Sequence, residues 1–225
     1  MNPLICDACG GRTDRPAVDP GASVVVCPDC GTRRPFRRLP LYCVTGPSGT
    51  GKSTVARRLA DRLADRYVIL EQDVLWVAGL RDPAEDHRAF RSTWLRMIAM
   101  LHQSGRPAVL CGTVAPPEFE RLPERALFQD VHYLALVCEP GELARRLRSR
   151  PAWREWTEPR IAEMLRYNEW IRTAAHTMDP PMTLLDTTRA ALPATVDAVC
   201  GWIAATADRG IDPAAERPMN EVCGE

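Results

Sequence analysis

Short apolar runs recur through the larger part of the chain, with longer amphipathic stretches between them. The runs at Leu41–Thr45, 67–70, 107–112, 132–138 and Met182–Asp186 are too short for buried helices, and each reads as a strand. Between them, apolar residues return every three or four positions over 53–66, about 83–103, 118–128, 141–150, 159–178 and about 192–208, which predicts helices. Single strands alternating with helices long enough to cross back predict an α/β fold, a five-stranded parallel sheet wrapped by helices. The first forty or so residues lack this rhythm and carry few large apolar side chains, and the last fifteen or so show no pattern. The chain therefore divides into a small module over 1–38, a main domain over 39–209 and a loose tail over 210–225, with no internal repeat.

At 225 residues and 45% hydrophobic composition, one sizeable core plus an appendage is attainable. Lys+Arg and Asp+Glu balance at 29 each, so bulk charge gives no reason to expect a polyanion binder. No stretch approaches the roughly 18 apolar residues of a membrane span, and the N-terminus does not join a basic region to an apolar run. The expectation is a cytoplasmic protein with no membrane partner.

The nine cysteines fall into groups. Cys43, Cys111 and Cys138 lie in apolar strand-like runs and read as core packing, while Cys200 and Cys223 suggest no role. Cys6-Asp7-Ala8-Cys9-Gly10 and Cys27-Pro28-Asp29-Cys30-Gly31 are different: each is a C-x-x-C pair followed by a glycine that permits a tight turn. Two such knuckles complete a tetrahedral set of four cysteine ligands, and Val24-Val25-Val26 leads into the second as a strand, so the module resembles a zinc ribbon. Four thiolates leave no open coordination position, which makes Zn2+ a structural ion here, and a segment without a core of its own depends on the metal to fold. Arg33, Arg34, Arg37 and Arg38 follow, either to contact phosphate or as a solvated linker.

The chemistry with the sharpest signature lies just after the first strand of the main domain. Gly46-Pro47-Ser48-Gly49-Thr50-Gly51-Lys52-Ser53 is a complete G-x-x-x-x-G-K-[ST] phosphate-binding loop, placed between a strand and a helix as the motif requires. Lys52 is the only lysine in the chain, whereas 28 residues are arginine. A compact ammonium reaches between β- and γ-phosphates where a planar guanidinium fork does not fit, so this one position resists the replacement seen everywhere else. The backbone of residues 46–54, including Thr54 in the first helical turn, would cradle the phosphates of ATP, with Lys52 on the γ-phosphate and Ser53 on Mg2+.

With these motifs in place, the main domain resembles the P-loop small-molecule kinases related to nucleoside and nucleotide kinases, gluconate kinase, shikimate kinase and chloramphenicol phosphotransferase. The resemblance covers about residues 41–209 and rests on the phosphate loop, Asp73 after the second strand, Gly112 after the third, the run Arg145-Arg146-Leu147-Arg148-Ser149-Arg150 and Asp186-Thr187-Thr188. It implies the P-loop NTPase three-layer sandwich with sheet order 2-3-1-4-5, and an ATP-dependent transfer of phosphate to the hydroxyl of a small molecule. Asp73 would orient or deprotonate that hydroxyl, with an N-cap or a water-mediated magnesium contact as the plainer reading. Glu71 is a rival carboxylate that, two residues away on a strand, would face the same side. Residues 145–156 read as a lid in which Arg146 and Arg150 share a helical face and fold over the transferring phosphate, or else form a solvated face. Trp76, Arg91 and Trp94 wall the acceptor site or anchor the core. Many nucleotide kinases end strand three in Asp-Gly, and Cys111 stands at that acidic position, which favours a gluconate, shikimate or antibiotic kinase style of site over a nucleoside monophosphate site. A guanine-specific Asn-Lys-x-Asp motif cannot exist in a chain whose one lysine is in the phosphate loop.

Two further readings belong to other classes. One is a nucleotide-gated binding module whose zinc ribbon contacts nucleic acid or protein, and the other a polynucleotide 5′-hydroxyl kinase in which the ribbon holds the strand.

Overall fold

Residues 2–15 and 17–209 are described in a computed structural model of the chain. The N-terminal part forms an antiparallel sheet of three short strands, β1 (Ala17–Asp19), β2 (Val24–Val26) and β3 (Arg33–Pro35), in the order β1-β2-β3. The main sheet consists of β4 (Leu41–Thr45), β5 (Val68–Glu71), β6 (Ala108–Cys111), β7 (Val131–Val137) and β8 (Met182–Asp186). All four pairings in it are parallel, in the order β5-β6-β4-β7-β8. Counted within the main domain this is 2-3-1-4-5, as the resemblance implies. The assigned helices are α1 (Lys52–Leu63), α2 (Arg88–His102), α3 (Pro116–Glu120), α4 (Pro140–Arg148), α5 (Glu158–Ala174) and α6 (Leu192–Arg209). The stretch assigned to a loose tail, with Cys223, lies outside the described residues.

The period of two along β4 builds the three layers. Leu41 and Cys43 join one apolar cluster with Trp94, Leu95 and Ile98 of α2 and Ile171 of α5, while Tyr42 and Val44 join another with Val55 and Leu59 of α1 and Val199 and Ile203 of α6. Because β4 is central and covered on both faces, every residue in it is buried. A third cluster joins α4 to α5 through Leu143, Leu147 and Ile161.

Several boundaries differ from expectation by a few residues, and three of them have a plain local reason. The single helix expected over 118–128 is α3 followed by a 3-10 turn at Pro123–Leu127, since proline lacks an N–H and clashes with the preceding turn. The helix expected from 83 starts at Arg88, because Asp86 and His87 both adopt left-handed backbone with φ 51° and 55°. Helix α4 stops at Arg148, with Ser149 as its C-cap and Pro151 two residues on.

His102, fully buried at the end of α2, accepts the Ala108 N–H on Nε2 at 3.1 Å. Burial pushes its pKa down to about 4. A histidine depressed in the folded state takes up protons on unfolding, so its stability is complete above about pH 6.5 and is lost as pH falls towards 4. Thermal melts should record a loss of about 3 kcal/mol over that window, and His102→Gln, which keeps an acceptor, should flatten it.

Candidate functional site

The loop that follows β4 is shaped by three glycines with different tasks. Gly46 has φ 126°, and a Cβ there would lie 2.2 Å from the backbone oxygen of Leu136 on β7. Gly49, with φ 97°, would press a Cβ against Leu143 and Leu147. Gly51, with φ 99°, caps α1 and faces open space. Helix α1 has no side-chain cap and no acid in its first turn, so its first N–H groups and its positive end look onto that space. The Thr50 hydroxyl donates to Pro47 O at 2.9 Å, and Lys52 Nζ donates to Gly46 O at 2.6 Å and Pro47 O at 3.0 Å. Burial pushes the Lys52 pKa down to about 8, opposed chiefly by the charge of Asp73. Ser48 is half-buried, while Ser53 and Thr54 are exposed on the first turn of α1. Backbone donors, one ammonium and an adjacent hydroxyl form a donor set that fits a phosphate chain with its magnesium.

Two carboxylates stand beside this loop. Strand β5 ends at Glu71, and Gln72–Leu75 winds into a 3-10 turn, so the period of two does not carry over and Glu71 and Asp73 do not share a strand face. Both are exposed and both act electrostatically on Lys52, Asp73 the more strongly. Cys111, one strand across from Glu71, is buried, and burial pushes its thiol up to about 12.

The arginines of the expected lid part company because α4 ends at Arg148; Arg146 and Arg150 do not share a helical face. Arg146 donates to Glu142 at 2.7 Å and to the carbonyls of Thr187 and Thr188 at 2.8 and 3.1 Å. Thr187 Oγ1 in turn lies 3.3 Å from Thr50 O, which links Arg146 to the phosphate loop. Arg150 lies over the Trp156 ring at 5.5 Å and within electrostatic reach of Lys52 and Asp73. Arg160 covers the same ring at 4.7 Å and donates to the carbonyls of Arg154 and Glu155, fixing the turn between α4 and α5.

Trp94 is a core residue, 1% exposed, with Nε1 donating to Gln72 O at 3.2 Å. Trp76 is 42% exposed, edge-on to Phe90 and His87. Arg91 is paired with both Asp86 and Glu118, and burial raises the Glu118 carboxyl despite that pairing. Sequence reasoning missed Gln72. This residue is 2% exposed, accepts the Thr113 N–H at 2.8 Å and packs under Gly112, where a Cβ would come 2.2 Å from its Oε1. Thr113 Oγ1 lies 3.3 Å from Gly46 O, so Gln72 joins the Asp73 turn to the phosphate loop. Its only sequence signal is a neutral polar residue between two acids at a strand exit.

The second cluster is at the other end of the chain. The Sγ atoms of Cys6, Cys9, Cys27 and Cys30 all lie within 4.8 Å of one another, with Cys6–Cys30 and Cys9–Cys27 at 3.7 Å. A disulfide requires about 2.0 Å. Zinc–sulfur bonds of about 2.3 Å give a tetrahedral edge of about 3.8 Å, so the four thiols fit a four-coordinate zinc. The two knuckles repeat one backbone pattern: Gly10 and Gly31, with φ 75° and 72°, donate to Cys6 O and Cys27 O at 2.9 and 3.0 Å. The Thr32 hydroxyl and amide draw the Cys30 pKa down, while hydrogen bonds from the neighbouring thiols hold that of Cys9 up.

Three of the four arginines after the second knuckle have side-chain partners, while Arg37 is exposed. Arg33 pairs with Asp19 at 2.6 Å, Arg34 is 7% exposed with Nε 3.5 Å from Asp7, and Arg38 donates to the carbonyls of Ala126 and Phe128 at 3.1 and 2.6 Å.

Comparison with known proteins gives one family match: residues 43–168, more than half of the chain, match the family described as AAA domain. A Lon protease of Flavobacterium johnsoniae is 36% identical over 73 residues, 30% of this chain, and the match spans only 8% of that relative's length. Among solved structures, a gluconokinase from Sinorhizobium meliloti 1021 superposes with a TM-score of 0.53 at 21% identity, covering 77% of this chain and 97% of the other. The YorR protein of Bacillus subtilis, in complex with phosphorylated GDP, gives a TM-score of 0.51 at 14% identity over 75% of this chain and 98% of the other. At these identities the likeness is one of fold. No helix among the described residues is long and apolar enough to cross a membrane.

Proposed function

The chain belongs to the AAA domain family, and from that premise we propose that it is an ATP-dependent kinase that transfers the γ-phosphoryl group to a hydroxyl of a small molecule. The observation that carries this reading is the coincidence of an α1 N-terminus with no side-chain cap, a Gly51 that faces open space there and the chain's one lysine with a carboxylate, Asp73, close enough to oppose the depression of its pKa. The gluconokinase that shares the fold supports a hydroxyl acceptor as the working class.

In this reading the backbone of residues 46–54 holds the phosphates, and Lys52 exchanges the carbonyls of Gly46 and Pro47 for phosphate oxygens. Ser53 would hold Mg2+, which when bound supplies charge neutralisation. Asp73 orients the acceptor hydroxyl and takes its proton as the new O–P bond forms and the bond to the β–γ bridging oxygen breaks, the released charge remaining on ADP. Arg150 is the lid arginine that meets the charge on the transferring group. Arg146 is a positioning residue, since its donors are committed to Glu142 and the 187–188 carbonyls. Trp76 and Arg91 wall the acceptor side, and Trp94 holds the Gln72 carbonyl from the core.

Incubation with labelled ATP, Mg2+ and pooled sugar acids, nucleosides and antibiotics, with a 5′-hydroxyl oligonucleotide in parallel, tests the reading. Label in a small product supports it, and label only in the oligonucleotide replaces it with a polynucleotide kinase. Asp73→Asn should lower kcat by about a hundredfold or more while ATP affinity stays within about threefold. Unchanged turnover would remove Asp73 from its role.

A further inference from the structure

We infer that the cysteine module is the brace of helix α2, so that metal on Cys6, Cys9, Cys27 and Cys30 governs the order of the helix and turn beside the phosphate loop. The inference rests on reading the four thiols as a zinc site.

Among the described residues, no apolar cluster is confined to the module. Val25 and Phe36, each 2% exposed, belong to the same apolar cluster as Phe90, Trp94, Leu95 and Ile98 of α2. Polar contacts then fasten the module along the helix. At its C-terminal end, Arg37 N donates to Gln103 Oε1 at 2.9 Å and Gln103 Nε2 donates back to Arg37 O at 3.1 Å. Midway, Arg96 bridges Asp14 at 3.2 Å to the buried Glu124 at 2.7 Å, and Glu124 also accepts the Ser92 hydroxyl. Arg38 fastens the 3-10 turn at Pro123–Leu127 through Ala126 O and Phe128 O.

The same residues of α2 reach the candidate site. Trp94 Nε1 holds Gln72 O, the residue before Asp73, and Phe90 meets the edge of Trp76 at 5.0 Å. The module and the Asp73 turn therefore meet through one apolar cluster, which holds Val25 and Phe36 of the module and Trp94, whose Nε1 bonds Gln72 O. The strands that present Val25 and follow to Phe36 are three residues long, too short to persist alone, and the thiol cluster is what closes them. Removing metal should release the module's side chains from α2, and with them the helix and the turn.

Hydrogen exchange on the full chain tests this, with zinc counted by elemental mass spectrometry before and after a strong chelator under reducing conditions. We expect one zinc per chain, and on its removal amide exchange at least tenfold faster in residues 88–103 and 72–76, with α1 and β7 changed less than twofold. Phe36→Ala should retain the zinc yet accelerate the same two segments, separating the mechanical contact from the metal. Faster exchange confined to residues 2–38, or an unaltered α2 in Phe36→Ala, overturns the inference. A chain purified without zinc whose α2 amides exchange slowly also overturns it, and leaves the phosphotransfer reading standing.

Discussion

Lys52→Ala is expected to lower kcat/KM for phosphoryl transfer by about three orders of magnitude, near 4 kcal/mol of transition-state stabilisation. The fold should survive, because the side chain's hydrogen bonds are two donations to carbonyls of its own loop. Lys52→Arg is the sharper probe. If the single lysine persists because a compact ammonium is needed, the arginine variant is also inactive, and retention of more than about a tenth of wild-type activity defeats that explanation. The wild-type pH profile is a second check. An ammonium titrating at about 8 in the free loop is raised by bound phosphate. Nucleotide affinity should therefore be full below about pH 8 and weaken above it. Labelled-ATP turnover and equilibrium nucleotide binding supply both readouts.

Gly46→Ala is expected to be the most damaging of the loop substitutions to stability. Its Cβ would sit 2.2 Å from a backbone oxygen of β7, the neighbour of β4 at the centre of the sheet, and neither strand can give way without disturbing both core layers. Together with φ 126°, this should cost at least about 3 kcal/mol, a fall in Tm of roughly 6–12 °C. Gly51→Ala meets no neighbouring atom within 4 Å, so its backbone strain should cost about 1 kcal/mol while phosphate binding is lost. Melting curves and nucleotide titrations of the pair separate a glycine that shapes the sheet from one that clears space for a ligand. Equal melting temperatures would defeat the distinction.

The strands were legible because the central sheet is apolar and its runs are short: Leu41–Thr45 and Met182–Asp186 have the boundaries their patterns suggest. The strand order followed from resemblance, since periodicity carries no information on which strands are neighbours. The phosphate loop was legible because its chemistry is contiguous in sequence. What stayed hidden depends on where elements end. Pro123 and Pro151 signalled the breaks near α3 and α4 that amphipathic counting overran, and the 3-10 turn after Glu71 undid the expectation for two carboxylates on one face. Hydrogen bonds between distant segments have no sequence signature, so the burial of Gln72 beneath Gly112 and the capture of Arg146 by the 187–188 carbonyls emerge only from the fold. The arginines after the second knuckle show the same limit, since their partners include carbonyls some ninety positions away.

Lys52 lies across the carbonyls of Gly46 and Pro47, main-chain oxygens of its own loop. The cradle thus holds its cation against its own main chain, and its turns are set by left-handed glycines, not by that side chain. In the proposed kinase, phosphate oxygens would take the place of those two acceptors, so the ammonium would give up no hydrogen bond when nucleotide binds. Selectivity in the proposed kinase would then rest on the acceptor side, where Trp76 and Arg91 stand, and not on the phosphate loop.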